Sequence, residues 1–155
     1  MAGRIEAKLA ELGITLPTPM APVANYVPYV ITGDLVVISG QLPAVDGKLT
    51  AVGKISEGVT PEQGAAAAGH CFTNLLAQLK VACGGDLDRV RQVVRLGGFI
   101  AAPASFTQHA AVMNGASDLA VAVFGDAGRH ARSTIGVPSL PLDSAVEVEG
   151  MFRIA

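Results

Sequence analysis

The sequence predicts an α+β fold: one β-sheet covered on one face by two long helices, with elements in the order β-β-α-β-α-β-β. Three observations carry this. Tyr26–Ile31 and Leu35–Ser39 are β-branched or aromatic runs either side of Thr32-Gly33-Asp34, which reads as a hairpin. Val90–Ala102 is a long, strongly apolar, β-branched run, fitting a central strand. Two stretches of helical character follow Thr60 and Ala104 or Ser105, and the second is succeeded by two further strand-like segments.

In order along the chain, Ala2–Leu12 is expected to be a short helix, because Ile5, Leu9 and Leu12 recur at spacings of four and three and Gly13 can end it. Pro17, Pro19 and Pro22 force an extended segment after it, so residues 1–22 form a helix and a proline-rich arm, expected to be a packing accessory. Pro28 places the first sheet strand at an edge or at its own start. Gly40 after Ser39 suggests a close backbone approach, by a ligand or a neighbouring strand. Leu42–Val59, rich in Gly, Pro and Asp, is expected to be a long loop with one short strand near Gly53–Ile55.

Thr60 is the N-cap of the first long helix, Pro61 its first residue, and Gln63 closes a capping box. Ala67, Cys71, Leu75, Leu79 and Ala82 share one face, and Gly84-Gly85 stops the helix after Cys83. The alanines suit a thin helix laid close on a sheet, and His70 reads as a packed or partly exposed histidine. The second long helix runs to Phe124, with Asn114, a poor helix former, inside it.

The last segment carries the chemistry. Ala131–Val137 and Ala145–Glu149 are β-rich and flank a two-proline turn at Pro138 and Pro141. Strand periodicity sends Val146 and Val148 one way and Glu147 and Glu149 the other. If the two strands are neighbours, Arg132 and Glu147 can meet at one site. Arg can grip a carboxylate with a two-bond fork, and Glu can place a water or move a proton. The same spacing also fits a structural ion pair or two solvated charges.

Composition bounds the function. At 155 residues the chain fits one domain, and 50% of residues are apolar against 15% charged, which suggests extra apolar surface buried between subunits. Net charge is −2 and the isoelectric point near 5.8, with no basic tract, so nucleic acid is not an expected partner. On one helix Cys71 and Cys83 would lie roughly 18 Å apart, too far for a disulfide. No Cys/His spacing suggests a metal. No signal-length or membrane-length apolar run is present, so a cytoplasmic protein is expected.

Three blocks in order add a resemblance. Arg132-Ser133-Thr134-Ile135, then Leu140-Pro141, then Val146-Glu147-Val148 with its Glu fifteen residues beyond the Arg, form the first. Ser39-Gly40-Gln41-Leu42-Pro43 is the second, and Tyr26, thirteen residues before Ser39, is the third. Together they resemble the RidA/YjgF family of enamine/imine deaminases, whose members also carry the name endoribonuclease L-PSP. The resemblance runs from about Tyr26 to Phe152 and suggests a longer subgroup with an N-terminal extension. It implies a chorismate-mutase-like fold and a homotrimer with sites between subunits. It also implies cofactor-free hydrolysis of 2-aminoacrylate-type intermediates to 2-keto acids and ammonia. Arg132 and Glu147 match the family's catalytic pair, and Tyr26, Ser39, Gly40, Asn114 and Thr134 its substrate-binding positions. This sequence departs from the family at Thr134, where a Cys is common, at His130, where a Pro is common, and at Pro138. A non-catalytic carboxylate-binding trimer and a ribonuclease are the alternatives.

Overall fold

The computed structural model describes residues 2–19 and 24–155. Its main sheet has five strands: β1 (Tyr29–Thr32), β2 (Leu35–Gln41), β3 (Val90–Ala101), β4 (Ala131–Val137) and β5 (Val146–Ile154). Their order across the sheet is β1-β2-β5-β3-β4. Only β3 and β4 run parallel; the other neighbours are antiparallel. Three helices accompany it: α1 (Arg4–Glu11), α2 (Pro61–Ala82) and α3 (His109–Phe124). Leaving α1 aside, the main elements follow the expected β-β-α-β-α-β-β order of an α+β chain.

The helices cover one face. Val36, Ile38, Leu96, Ile100, Val146, Val148 and Phe152 point into a core shared with Ala67, Cys71, Phe72, Leu75, Leu79, Val112, Met113 and Ala116. Strand periodicity puts the alternate residues on the opposite face, where Val30 and Ile135 are each 52% exposed. The helices α2 and α3 cross closely because Gly115 has no side chain; an added Cβ would collide with the Ala65 carbonyl oxygen.

The α2 start behaves as the sequence requires. Thr60 Oγ1 accepts from the Gln63 N–H at 3.1 Å, and Gln63 Oε1 accepts from the Thr60 N–H at 2.9 Å. Gly84 and Gly85 follow the helix end with positive φ. Cys71 and Cys83 are free, buried thiols. The α1 helix takes its cap from outside itself: Asp88 accepts from the backbone N–H groups of Arg4 and Ile5, both at 2.8 Å. Ile5 and Leu9 are buried, while Leu12 is exposed beyond the helix.

Several boundaries differ from expectation. The strand β1 starts at Tyr29, so Tyr26 and Val27 precede it; Pro28 cannot donate a ladder bond and marks the boundary. The short strand expected near Gly53–Ile55 is present as Lys54–Ile55, but it pairs with Gly58–Val59, and a second tiny ribbon pairs Ala44–Val45 with Lys48–Leu49. Residues 104–108 are turn and coil, and α3 begins only at His109. There the Phe106 N–H bonds the Pro103 carbonyl at 3.0 Å, and the Phe106 ring packs on the core and edge-on against His109. The expectation for Pro22 lies outside the described residues.

The largest correction concerns the two strands expected to bring Arg132 and Glu147 together. They are not neighbours, because the long strand β3 lies between β4 and β5. It supplies a parallel edge to one and an antiparallel edge to the other, and its apolar length makes it the natural centre of the sheet.

Candidate functional site

Arg132 stands opposite Leu96 across the β4–β3 ladder, and Glu147 stands opposite Phe99 across the β5–β3 ladder. Residues opposed in a ladder share a face, and Leu96 and Phe99 are three apart, so Arg132 and Glu147 point to opposite faces. Two strand spacings and a three-residue offset separate their Cα atoms by roughly 14 Å. Within one chain the predicted site residues therefore form two groups.

The first group lies between β4 and α3, on the helix-covered face. Arg132 is half-buried, and Nη1 donates to Asn114 Oδ1 and Ser117 Oγ, both at 2.9 Å, while Nη2 reaches the Ala110 carbonyl at 3.4 Å. Ala110, Asn114 and Ser117 are spaced i, i+4, i+7, so they form one stripe along α3. All three acceptors are uncharged. No carboxylate forms an ion pair with Arg132 among the described residues. Thr134, two residues along the same face, has a buried Oγ1 with no hydrogen-bond partner among the described residues. Asn114 is thus one of the Arg132 acceptors, not merely an exposed helix residue.

The second group lies where β2 meets β5. The β2 register slips between Ile38 and Gln41 relative to β5, a bulge that puts Gly40 against Glu147. An added Cβ on Gly40 would collide with Glu147 Oε1 and lie 3.0 Å from its Cδ. Glu147 is half-buried and without an ion-pair or hydrogen-bond partner among the described residues. Burial raises its pKa above the ordinary carboxylate value, and the nearby Glu149 carboxylate raises it further. Glu149 itself pairs with Arg95 at 3.6 Å. Ser39 Oγ donates to the Val27 carbonyl at 2.9 Å, tying β2 to the segment that carries Tyr26, itself 58% exposed.

The fold has counterparts in known proteins. A protein-family model described as "YjgF/chorismate mutase-like, putative endoribonuclease" matches residues 6–152. The chain belongs to the RidA/YjgF family. Its chorismate-mutase-like α+β fold is the family fold. Among its RidA/YjgF relatives, protein TCP17 of Trypanosoma cruzi is 44% identical over 154 residues, covering 99% of this chain and 96% of TCP17. The crystal structure of Atu1372 from Agrobacterium tumefaciens, a protein of unknown function, is 43% identical with a TM-score of 0.92, over 97% of this chain and 92% of that one. A "putative endoribonuclease" from Shewanella oneidensis is 38% identical with a TM-score of 0.94, over 98% of this chain and all of its own.

Sequence reasoning missed Ser117 and Ala110, although their helical spacing from Asn114 was a usable signal once Arg132 was placed beside α3. It also did not connect His130 to the site; His130 Nε2 lies 2.9 Å from Ser117 Oγ. Among the described residues, no group of three His, Cys, Asp or Glu side chains could hold a metal ion. No helix among them is long and apolar enough to cross a membrane.

Proposed function

We propose that this protein is a hydrolytic deaminase of enamine and imine intermediates of the 2-aminoacrylate type, releasing a 2-keto acid and ammonia at sites shared between subunits of a homotrimer. The observation that carries the reading is Arg132, a half-buried guanidinium held by three neutral acceptors and without a counter-charge among the described residues. Such a cation suits a substrate carboxylate.

Glu147 complements it. Protonation at carbon by solvent turns the enamine into its protonated imine. A water held by Glu147 then adds its oxygen to the imine carbon as its proton passes to the carboxylate. Glu147 returns that proton to the nitrogen; the C–N bond then breaks with its electron pair leaving on ammonia, while the hydroxyl gives its proton to Glu147 and becomes the keto acid's carbonyl, balancing the proton taken up at carbon. A carboxylate with a raised pKa is better matched to taking and returning a proton near neutrality. Backbone groups at Gly40 and Thr134 would hydrogen-bond the substrate nitrogen or the developing charge, with Ser39 lining the pocket and Tyr26 walling it. The imine is already electrophilic, so placement and electrostatics suffice without a cofactor.

Arg132 and Glu147 of one chain face opposite ways, so a complete site needs the Arg132 group of one copy against the Glu147 group of another. The uncovered sheet face, with Val30 and Ile135 exposed, gives copies an apolar surface to share. The test is ammonia release from freshly generated imino acids, alongside sedimentation at micromolar concentration. Release that disappears in Arg132→Ala, from a trimer, supports the reading. Keto-acid binding without release points to a carboxylate-binding trimer instead, and a clean monomer sinks the shared site. Salt-resistant RNA binding or cleavage by the pure protein would favour a ribonuclease, against the net charge of −2.

A further inference from the structure

The guanidinium of Arg132 is steered by a chain of hydrogen bonds that returns to the turn before its own strand. His130 Nδ1 lies 2.7 Å from the Gly128 carbonyl, which can only accept, so Nδ1 carries a proton. In the neutral ring Nε2 is then an acceptor. It lies 2.9 Å from Ser117 Oγ, which must donate its single hydrogen there. With that hydrogen committed, the lone pairs of Ser117 Oγ are directed to Arg132 Nη1 at 2.9 Å. The other Nη1 hydrogen goes to Asn114 Oδ1, also at 2.9 Å. Both Nη1 hydrogens are thereby used. The edge formed by Nε–H and Nη2 is what remains to offer a carboxylate, and Nη2 is engaged only loosely, by the Ala110 carbonyl at 3.4 Å.

We propose that Ser117 and His130 are positioning residues that fix which edge of the Arg132 guanidinium meets a substrate carboxylate. The inference rests on the carboxylate-binding role given to Arg132 above and assigns that role a geometry. The order of donors follows from chemistry: with the His130 ring neutral, a carbonyl at one end and a guanidinium at the other allow one direction through the histidine and the serine. Truncating Ser117 frees one Nη1 hydrogen and lets the guanidinium turn about its long side chain, so the fork is no longer preset for the ligand. Ordering one rotamer-rich side chain on binding, which the Ser117 bond does in advance, corresponds to roughly two- to tenfold in affinity.

The test has two independent readouts on the intact protein. Nitrogen NMR of His130, assigned by its loss in His130→Gln, is expected to show the Nδ1–H tautomer. Titration with 2-oxobutanoate is expected to weaken about two- to tenfold in Ser117→Ala, less in His130→Ala, and to recover in Ser117→Thr, which keeps the hydroxyl. In kinetics the rise in KM should exceed the fall in kcat, whereas a purely structural serine would change melting temperature and leave the titration alone. An Nε2–H tautomer, or unchanged affinity in Ser117→Ala, overturns the proposal. A wild-type protein that neither binds 2-oxobutanoate nor releases ammonia overturns the deaminase reading instead, and the His130 tautomer still decides the relay.

Discussion

Gly40→Ala should disable Glu147 without touching it in the sequence. The new Cβ would overlap Glu147 Oε1 and approach Cδ to 3.0 Å and Cγ to 3.2 Å. The Gly40 backbone has no positive φ, so alanine itself is conformationally acceptable there, and the cost falls on the carboxylate. Because the obstacle is the end of a flexible side chain, Glu147 can rotate away for about 1 kcal/mol, the scale of an unfavourable rotamer. For a chain of 155 residues that is a melting-temperature loss of only about 2–4 °C. Turnover should fall much further, by at least roughly tenfold, because a displaced general base loses most of its contribution. Affinity for 2-oxobutanoate, which depends on Arg132, should change little. A double-mutant cycle with Glu147→Ala isolates the cause. If the clash acts through Glu147, adding Gly40→Ala to Glu147→Ala costs almost no further activity. Additive losses, or a melting temperature lowered by ten degrees or more, would refute the steric argument.

Three further outcomes are expected. Arg132→Lys keeps the charge but loses the planar fork; losing a charge-assisted bond worth roughly 1.5–3 kcal/mol should raise KM for carboxylate substrates about ten- to hundredfold, read by steady-state kinetics. Glu147→Gln should slow turnover and yet stabilise the fold at neutral pH. A raised folded-state pKa means a penalty for the charged form that is full above the raised value and vanishes below the ordinary glutamate value, so the gain in melting temperature should disappear as pH falls through that window. Asp88→Ala should loosen α1, seen as faster proteolysis near Arg4 and Lys8. The Ile5 and Arg4 N–H groups hold the Asp88 carboxyl below its usual pKa, so wild-type α1 should stay docked above the ordinary Asp range and release only as pH falls through the lowered value.

Elements set by local chemistry were legible in the chain. Thr60, Pro61 and Gln63 start α2 through bonds made within one turn, and Gly84-Gly85 end it because glycine tolerates positive φ. The alternation of Val146, Glu147, Val148 and Glu149 assigned their faces correctly, since strand periodicity is a property of the backbone. The limits of α3 and β1 were less legible, because they depend on where Phe106 packs and on what a proline can pair with.

The sequence by itself determined the family, the order of elements and the residue types available for carboxylate chemistry. Only the tertiary structure decided which of them meet. Insertion of β3 between β4 and β5 depends on pairing between segments far apart in the chain, which no local pattern encodes. That one choice of strand order turned Arg132 toward Asn114, Ser117 and α3, and Glu147 toward Gly40 and the other face. Local periodicity says which side of its own strand a residue takes, whereas the neighbour across the sheet is set by how the whole apolar surface is buried.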